Sequence, residues 1–239
     1  MAATQADLQK LYNAGAHFGY ARTRRHPTAA PFIFTTKDRT DIFDLEETTK
    51  HLASAEEFVK SLAAAGKTVL FVGGKTEVMT IVKDAATQIG APYVAGRWIG
   101  GTLTNFKNIR KRIDRLEKLM ADRESGALEK YTKKERLMID REIDELLARF
   151  GGIVSLRDLP GALFVIDTRH EGTAVREARQ LGIPVVGLSS SDCDFSLVTH
   201  PVPGNDTSVG SVRLVAEEIA NAYQEGKKHD IRNPKSEVN

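Results

Sequence analysis

The 239-residue sequence has little of what marks secreted, membrane-embedded or disulfide-stabilised proteins. Its one cysteine, Cys193, cannot form an intramolecular disulfide. The longest apolar runs, residues 68–72 and 162–166, are far shorter than the roughly 20 residues that a membrane-spanning helix needs. The first ten residues, MAATQADLQK, contain no apolar segment like that of a secretory signal. We therefore expect a cytoplasmic protein that does not associate with a membrane.

Motifs of nucleotide binding and common enzymatic chemistry are also missing. Gly73-Gly74-Lys75-Thr76 follows a predicted strand, but Val69 stands where a phosphate-binding loop requires its first glycine. There is no G-x-G-x-x-G, and the serines at 189–191 lack the G-x-S-x-G pattern of a nucleophile elbow. No pair of carboxylates marks an acid–base couple. We expect no catalytic residue, no cofactor and no small-molecule substrate.

Metal binding has weak support. The six histidines form no H-E-x-x-H, and none stands at a zinc-site spacing from Cys193. Asp192-Cys193-Asp194 with His200 offers ligand atoms, but a lone cysteine is more often a packing residue. We expect no metal site.

The order of the predicted elements indicates an α/β protein. Two strands at 31–34 and 40–45 surround a polar turn, and further strands are predicted at 68–72, 92–95, 162–166 and 184–188. Helical periodicity predicts helices over 5–14, 46–64, 76–89, 172–181 and 207–224. Apolar runs alternating with helices predict a mostly parallel sheet with helices on its faces.

Residues 105–150 interrupt this alternation. Apolar residues recur every three or four positions along two stretches: Phe106, Ile109, Ile113, Leu116 and Met120, then Ile139, Ile143, Leu146 and Phe150. Ser125-Gly126 marks the turn, and Thr132 with Glu135 forms a capping box. Because such narrow stripes can bury only each other, they predict a projecting antiparallel coiled-coil hairpin. The alternative is a helix pair packed on the main core.

These elements divide the chain into three parts. Residues 1–104 and 151–226 form a discontinuous sheet domain, residues 105–150 form the inserted hairpin, and residues 227–239 form a polar C-terminal tail. We expect the tail to be loosely ordered.

The net charge of +2 conceals an uneven distribution. Residues 1–40 carry six Lys/Arg against two Asp/Glu, and residues 97–136 carry twelve against six. Separation of this kind indicates a basic face that meets an anion, although a solvated helix can look the same. The candidate RNA-binding residues in and beside these basic clusters are His17, Arg22, Arg24, Arg25, Arg97, Trp98, Lys107, Arg110, Lys111, Arg115 and Lys118.

Several motifs together resemble the bacterial small-subunit ribosomal protein S2 family. They are RWIGGTLTNFK at 97–107, GAHFG at 15–19, LPGALFVID at 159–167, EARQLGIPVV at 177–186 and PGND at 203–206. The resemblance runs from about Leu8 to Gly226. The chain departs from the family pattern at Tyr20, at His26-Pro27, at 190–195 and after Asp206, which indicates a divergent bacterial lineage.

The resemblance implies a flavodoxin-like or Rossmann-like domain with a coiled-coil hairpin. It also implies a non-catalytic constituent of the small ribosomal subunit that binds ribosomal RNA (rRNA), supports subunit assembly and helps to dock ribosomal protein S1 in translation. The motif at 97–107 adds Thr104 and Asn105 to the candidate rRNA-binding residues. Two other interpretations stay open. One is an α/β enzyme or nucleotide-binding protein that uses the loops after Val72, Ile166 and Leu188, and the other is a non-ribosomal adaptor whose hairpin binds proteins.

Overall fold

The computed structural model describes residues 5–232, apart from the side chains at 129 and 229–232. Helix α1 (Gln5–Asn13) leads into a small antiparallel sheet of β1 (Phe18–Ala21), β2 (Ile33–Lys37) and β3 (Thr40–Phe43), in the order β1-β3-β2. The Asp44 carboxylate caps α2 (Leu45–Ala64) by accepting the Glu46 N–H at 2.9 Å.

The main sheet is parallel and has five strands. In chain order, its region contains β4 (Val69–Val72), α3 (Thr76–Gln88), β5 (Tyr93–Val94), α4 (Phe106–Glu124), α5 (Lys133–Phe150), β6 (Ala162–Ile166), α6 (Gly172–Gln180), β7 (Val185–Ser189), β8 (His200–Pro203) and α7 (Val209–Arg232). The strand order is β5-β4-β6-β7-β8. This architecture confirms the predicted α/β fold class.

Alternate residues of the central strands enter two separate cores. Val69 and Phe71 pack with α2, α3 and α7 on one face of the sheet. Leu70 and Val72 pack with α6, the turn that contains Trp98, and the apolar stripe of the helical hairpin on the other face. Because both faces are covered, β4 and β6 are buried along their whole length, as their unbroken apolar sequences predict.

Helices α4 and α5 form the helical hairpin, and the predicted capping box at Thr132 and Glu135 is present. Gly126 has a φ of +74°, which lets the chain reverse after α4. The two helices pack on each other, and their apolar stripe continues into the core at the hairpin base. The hairpin is therefore inserted between β5 and β6, while the predicted domain boundaries stay a prediction.

Two strands were missing from the sequence prediction. β1 is short and pairs only through β3, and β8 carries Pro201 and Pro203. An edge strand tolerates proline because one of its sides needs no backbone donor. Among the described residues, no helix has the length and apolar character needed to cross a membrane.

The last predicted helix ends too early. Helix α7 continues through Arg232, so its predicted end at 224 is corrected, while the boundary of the polar tail at 227 stays a prediction. Gly226 packs closely on α2, and Lys227 Nζ donates to the Ile89 carbonyl oxygen at 3.4 Å, so the helix still contacts the domain there. Residues 233–239 of the predicted tail lie outside the described residues.

Candidate nucleic-acid interface

The predicted RNA-binding residues lie on two segments, the chain between α1 and β2 and the chain from Arg97 into α4. In the first segment, Arg25 forms a two-pronged ion pair with the buried carboxylate of Asp41, with Nε 2.7 Å from Oδ2. This hydrogen-bonded pair lowers the pKa of Asp41. Arg25 therefore holds β3, whereas the Arg22 side chain is exposed and has no described ion-pair partner.

Two further residues of this segment also make internal contacts. Arg24 lies 2.9 Å from Asp192 Oδ2 and covers the Tyr20 ring, with 4.2 Å between the guanidinium carbon and the ring centroid. His17 stacks on Tyr12, and burial lowers its pKa. Arg24 is still half-exposed, so its outer nitrogen atoms can meet a phosphate, whereas His17 is mainly a packing residue.

Trp98 belongs to a buried network around Glu177 of α6. The indole N–H of Trp98 and the backbone N–H of Gly101 both donate to Glu177 Oε1, at 3.1 and 2.8 Å. The N–H groups of Leu103 and Thr104 donate to Oε2, and so does the Thr104 hydroxyl. Burial opposes the charge of Glu177, but these donors outweigh it and lower its pKa. The turn before α4 is thus built around one carboxylate.

The cations of α4 divide into internal and free groups. Arg110 is mostly buried and donates to the carbonyl oxygens of Val154 and Leu156, at 3.0 and 3.2 Å. Arg115 pairs with Glu142 across the hairpin at 3.1 Å. Besides Arg22, four predicted residues, all in the segment from Arg97 into α4, are exposed without an acidic partner among the described side chains: Arg97, Lys107, Lys111 and Lys118.

A groove of about 650 Å³ lies at the hairpin base. Ile99, Ile109, Leu146 and Phe150 give it an apolar lining. Its polar lining consists of Asn105, Asn108, Lys111, Arg112, Arg115, Glu142 and Arg149. The exposed cation Arg112 was not among the predicted residues, although its place in the basic run NIRKRI was visible. Cations therefore outnumber carboxylates four to one around this groove.

A second polar cluster lies beneath the N-terminal sheet, which is the small antiparallel sheet of β1, β2 and β3. Lys75 Nζ is 2.5 Å from Asp167 Oδ2 and 3.6 Å from Asp206 Oδ2. Burial opposes the charge of Lys75, but its bond to Asp167 raises its pKa. Neither oxygen of Asp206 has a hydrogen-bond partner among the described residues. Burial, reinforced by the charge of Asp167, raises the pKa of Asp206.

This cluster contains the described residues that come nearest to a metal site. Asp167, Cys193 and Asp206 each bring a potential ligand atom, all within 4.8 Å of one another. Lys75 already contacts both carboxylates, and burial raises the pKa of Cys193 to about 12, which favours the protonated thiol. His200, weighed with Cys193 as a ligand, instead stacks on Phe58 with centroids 4.1 Å apart. A cation here would have to displace Lys75 and a proton.

The glycine loop after β4 also makes internal bonds. The Gly74 N–H donates to Glu171 Oε1 at 3.0 Å, and Lys75 binds Asp167. The groups that would hold a phosphate in a nucleotide-binding loop therefore contact carboxylates of the same chain.

Comparison with known proteins decides the family. A family model described as ribosomal protein S2 matches residues 11–226. The chain belongs to this family. Similar S2 relatives include "Small ribosomal subunit protein uS2" of Nocardia farcinica, 43% identical over 92% of this chain and 77% of the relative. The proteins of the same description from Coprothermobacter proteolyticus and Roseiflexus sp. are 41% and 42% identical over 92% of this chain, and over 82% and 84% of their own lengths.

The S2 match includes the hairpin and every described strand of both sheets, so it confirms the resemblance from residue 11 to the predicted end at Gly226. Sequence reasoning missed the acidic partners Asp41, Glu177 and Asp192. Glu177 left one signal, because it occupies the same helical face as the buried residues Ala174 and Ala178. A carboxylate on an apolar helix face needs buried hydrogen-bond donors, and here the turn at residues 98–104 supplies them.

Proposed function

We propose that this chain is a structural constituent of the small ribosomal subunit that binds rRNA with its hairpin base and N-terminal loop. Membership of the S2 family supports the ribosomal role. The observation that carries the RNA-binding role is the row of exposed cations at 107, 111 and 112, which continues to Lys118. Such side chains bind phosphates without a preformed pocket.

The thirteen predicted residues take different parts in this proposal. Direct phosphate contacts come from Arg22, Arg97, Lys107, Lys111 and Lys118, with Arg24 and Arg115 adding their exposed nitrogen atoms. Trp98, Thr104 and Asn105 shape the turn that presents them, while Arg25 and Arg110 fix the backbone and His17 packs beneath the loop. Recognition is mainly of backbone and shape, because cations on a convex helix reach phosphates more readily than base edges.

The experiment replaces Lys107 and Lys111 with Glu. Incorporation into small subunits on sucrose gradients should fall, and the salt dependence of rRNA binding should lose a slope of about 1 for each lysine. Arg213→Glu with Lys228→Glu, on the exposed side of α7, is the matched control and should change neither. If both double variants assemble as well as the unmodified protein, the proposal is wrong for the hairpin.

The proposal extends to partners. It includes neighbouring small-subunit proteins and ribosomal protein S1, and it places the chain on cytoplasmic ribosomes without a catalytic role. Its support is the family membership. Small subunits depleted of this chain should retain less S1 after gradient sedimentation and should recover it when the chain is added back. Unchanged S1 retention would remove S1 from the proposal and leave the rRNA part intact.

A further inference from the structure

We propose that the groove at the hairpin base binds one unstacked nucleotide of a single-stranded RNA segment. This inference rests on the proposed function, because it assigns a form of RNA to the same surface. The volume of about 650 Å³ lies within the range of small-ligand sites. It is large enough for one base and its ribose.

The lining provides the two kinds of contact that an unstacked nucleotide needs. Ile99 is partly exposed and offers apolar surface to the face of a base, whereas Ile109, Leu146 and Phe150 are buried and add only a little to the lining. Cations stand on both walls, Lys111 and Arg112 on α4 and Arg149 on α5. A strand that crosses the hairpin can therefore bind phosphates on each side of the base it inserts.

Charge favours a polyanion over a neutral or basic protein segment, and under the proposed function that polyanion is RNA. Arg115 pairs with Glu142, and Arg149 with Glu145 at 2.6 Å. Lys111 and Arg112 have no acidic partner among the described side chains, so the groove has uncompensated positive charge beside an apolar lining. A folded duplex cannot use that lining, because its bases are stacked inside.

Two amide side chains stand at one end of the groove. Asn108 Nδ2 donates to Asn105 Oδ1 at 2.9 Å. This bond leaves the Asn105 amide N–H₂ and the Asn108 oxygen for a base edge. Both residues lie in the first turn of α4 or just before it, which the Glu177 network holds in place.

The test fills the groove without changing its charge. Asn108→Trp places a large side chain on its lining, and Asn221→Trp, at an exposed asparagine of α7, is the matched control. The probes are a short single-stranded oligoribonucleotide containing 2-aminopurine, a duplex of the same length, and purified small-subunit rRNA. We expect N108W to weaken single-strand binding about tenfold, the size of one lost base stack, and to leave duplex binding unchanged. N221W should bind all three like the unmodified protein.

A second measurement does not depend on how well the variant folds. rRNA containing 4-thiouridine is crosslinked to the unmodified protein, and the crosslinked peptides are identified by mass spectrometry. Crosslinks within residues 99–112 or 142–150 to a nucleotide that loses chemical reactivity on binding support the inference.

The outcomes separate the two proposals. If the unmodified protein binds rRNA and N108W binds the single strand equally well, the groove inference is overturned and the proposed function stands. Crosslinks that map only outside residues 99–112 and 142–150 also overturn the inference. If the unmodified protein neither binds rRNA nor enters small subunits, the proposed function itself fails.

Discussion

Glu177 Oε1 accepts the indole N–H of Trp98 at 3.1 Å, across the boundary between α6 and the turn before α4. The same carboxylate receives three backbone N–H groups and one hydroxyl, so a single side chain of the sheet domain fixes the direction in which the hairpin leaves it. Removing the charge should therefore loosen the hairpin at its base.

Glu177→Gln tests this relationship. An amide N–H₂ would face N–H donors, and charge-assisted bonds would be lost, so the free energy of unfolding should fall by about 3 kcal/mol. Urea denaturation measures it, with Glu217→Gln on the exposed side of α7 as control. A loss below about 0.5 kcal/mol, the usual range for surface changes, would contradict the assigned role.

The unfolding free energy depends on pH through one carboxyl group, Glu56, which lies where α1, α2 and α7 face one another. Burial, followed by the charges of Glu218, Asp7 and Glu225, raises the pKa of Glu56 from 4.5 to about 7. The folded state thus binds a proton more tightly than the unfolded state. The unfolding free energy should therefore decrease as pH rises from 4.5 to about 7.

Glu56→Gln removes this titration and should flatten that decrease when urea midpoints are compared across the range. Its exposed neighbour Glu57, replaced by Gln, is the control and should keep the decrease. Equal pH profiles for the two variants would show that Glu56 does not titrate as described.

Gly152 marks the return of the chain from the hairpin to the sheet. A Cβ atom there would collide with the carbonyl oxygen and the ring of Tyr93 in β5. Gly152→Ala should lower the unfolding free energy by about 1–3 kcal/mol, because the backbone must shift to relieve the overlap. Gly172→Ala is the control, since a Cβ at Gly172 meets no described atom within 4 Å. Similar melting temperatures for the two variants would refute the close approach.

Lys75 compensates the two buried carboxylates below the N-terminal sheet. Lys75→Met should lower the unfolding free energy by about 3–5 kcal/mol, because it leaves buried negative charge unpaired. Adding Asp206→Asn to K75M should recover part of the loss. The control is Lys83→Met, at an exposed position of α3, and it should have little effect. Denaturation midpoints measure all three, and a double variant less stable than K75M would argue against this charge balance.

Local patterns predicted most of the helices and the central strands. The runs at β4 and β6, the stripe of the hairpin and the Thr132 cap each depend on neighbours within a few residues. β8 was missed because its prolines suggest a loop unless the sheet edge is known. Its place at the edge depends on strands distant in sequence.

Charged side chains were harder to assign than elements. Arg25 and Arg110 look like RNA ligands in the sequence, yet they bind Asp41 and the carbonyl oxygens of 154 and 156. Such partners are set by tertiary packing, so a basic run in the sequence predicts only that a surface is positively charged, and not which of its side chains are free to bind RNA. The groove could not be predicted either, because it requires the spacing between two helices and a turn.

The sheet of β1, β2 and β3 docks on residues 191 and 192, and this contact affects when the sheet can fold during synthesis. Tyr20 N–H donates to Ser191 Oγ at 2.8 Å, across 171 residues of chain. His26 N–H and Arg24 likewise bind residues 191 and 192. Strands β1, β2 and β3 are therefore synthesised long before the residues on which their sheet docks. They stay undocked until residues 191 and 192 have left the exit tunnel, so a nascent chain truncated before this point leaves them open to proteases and chaperones.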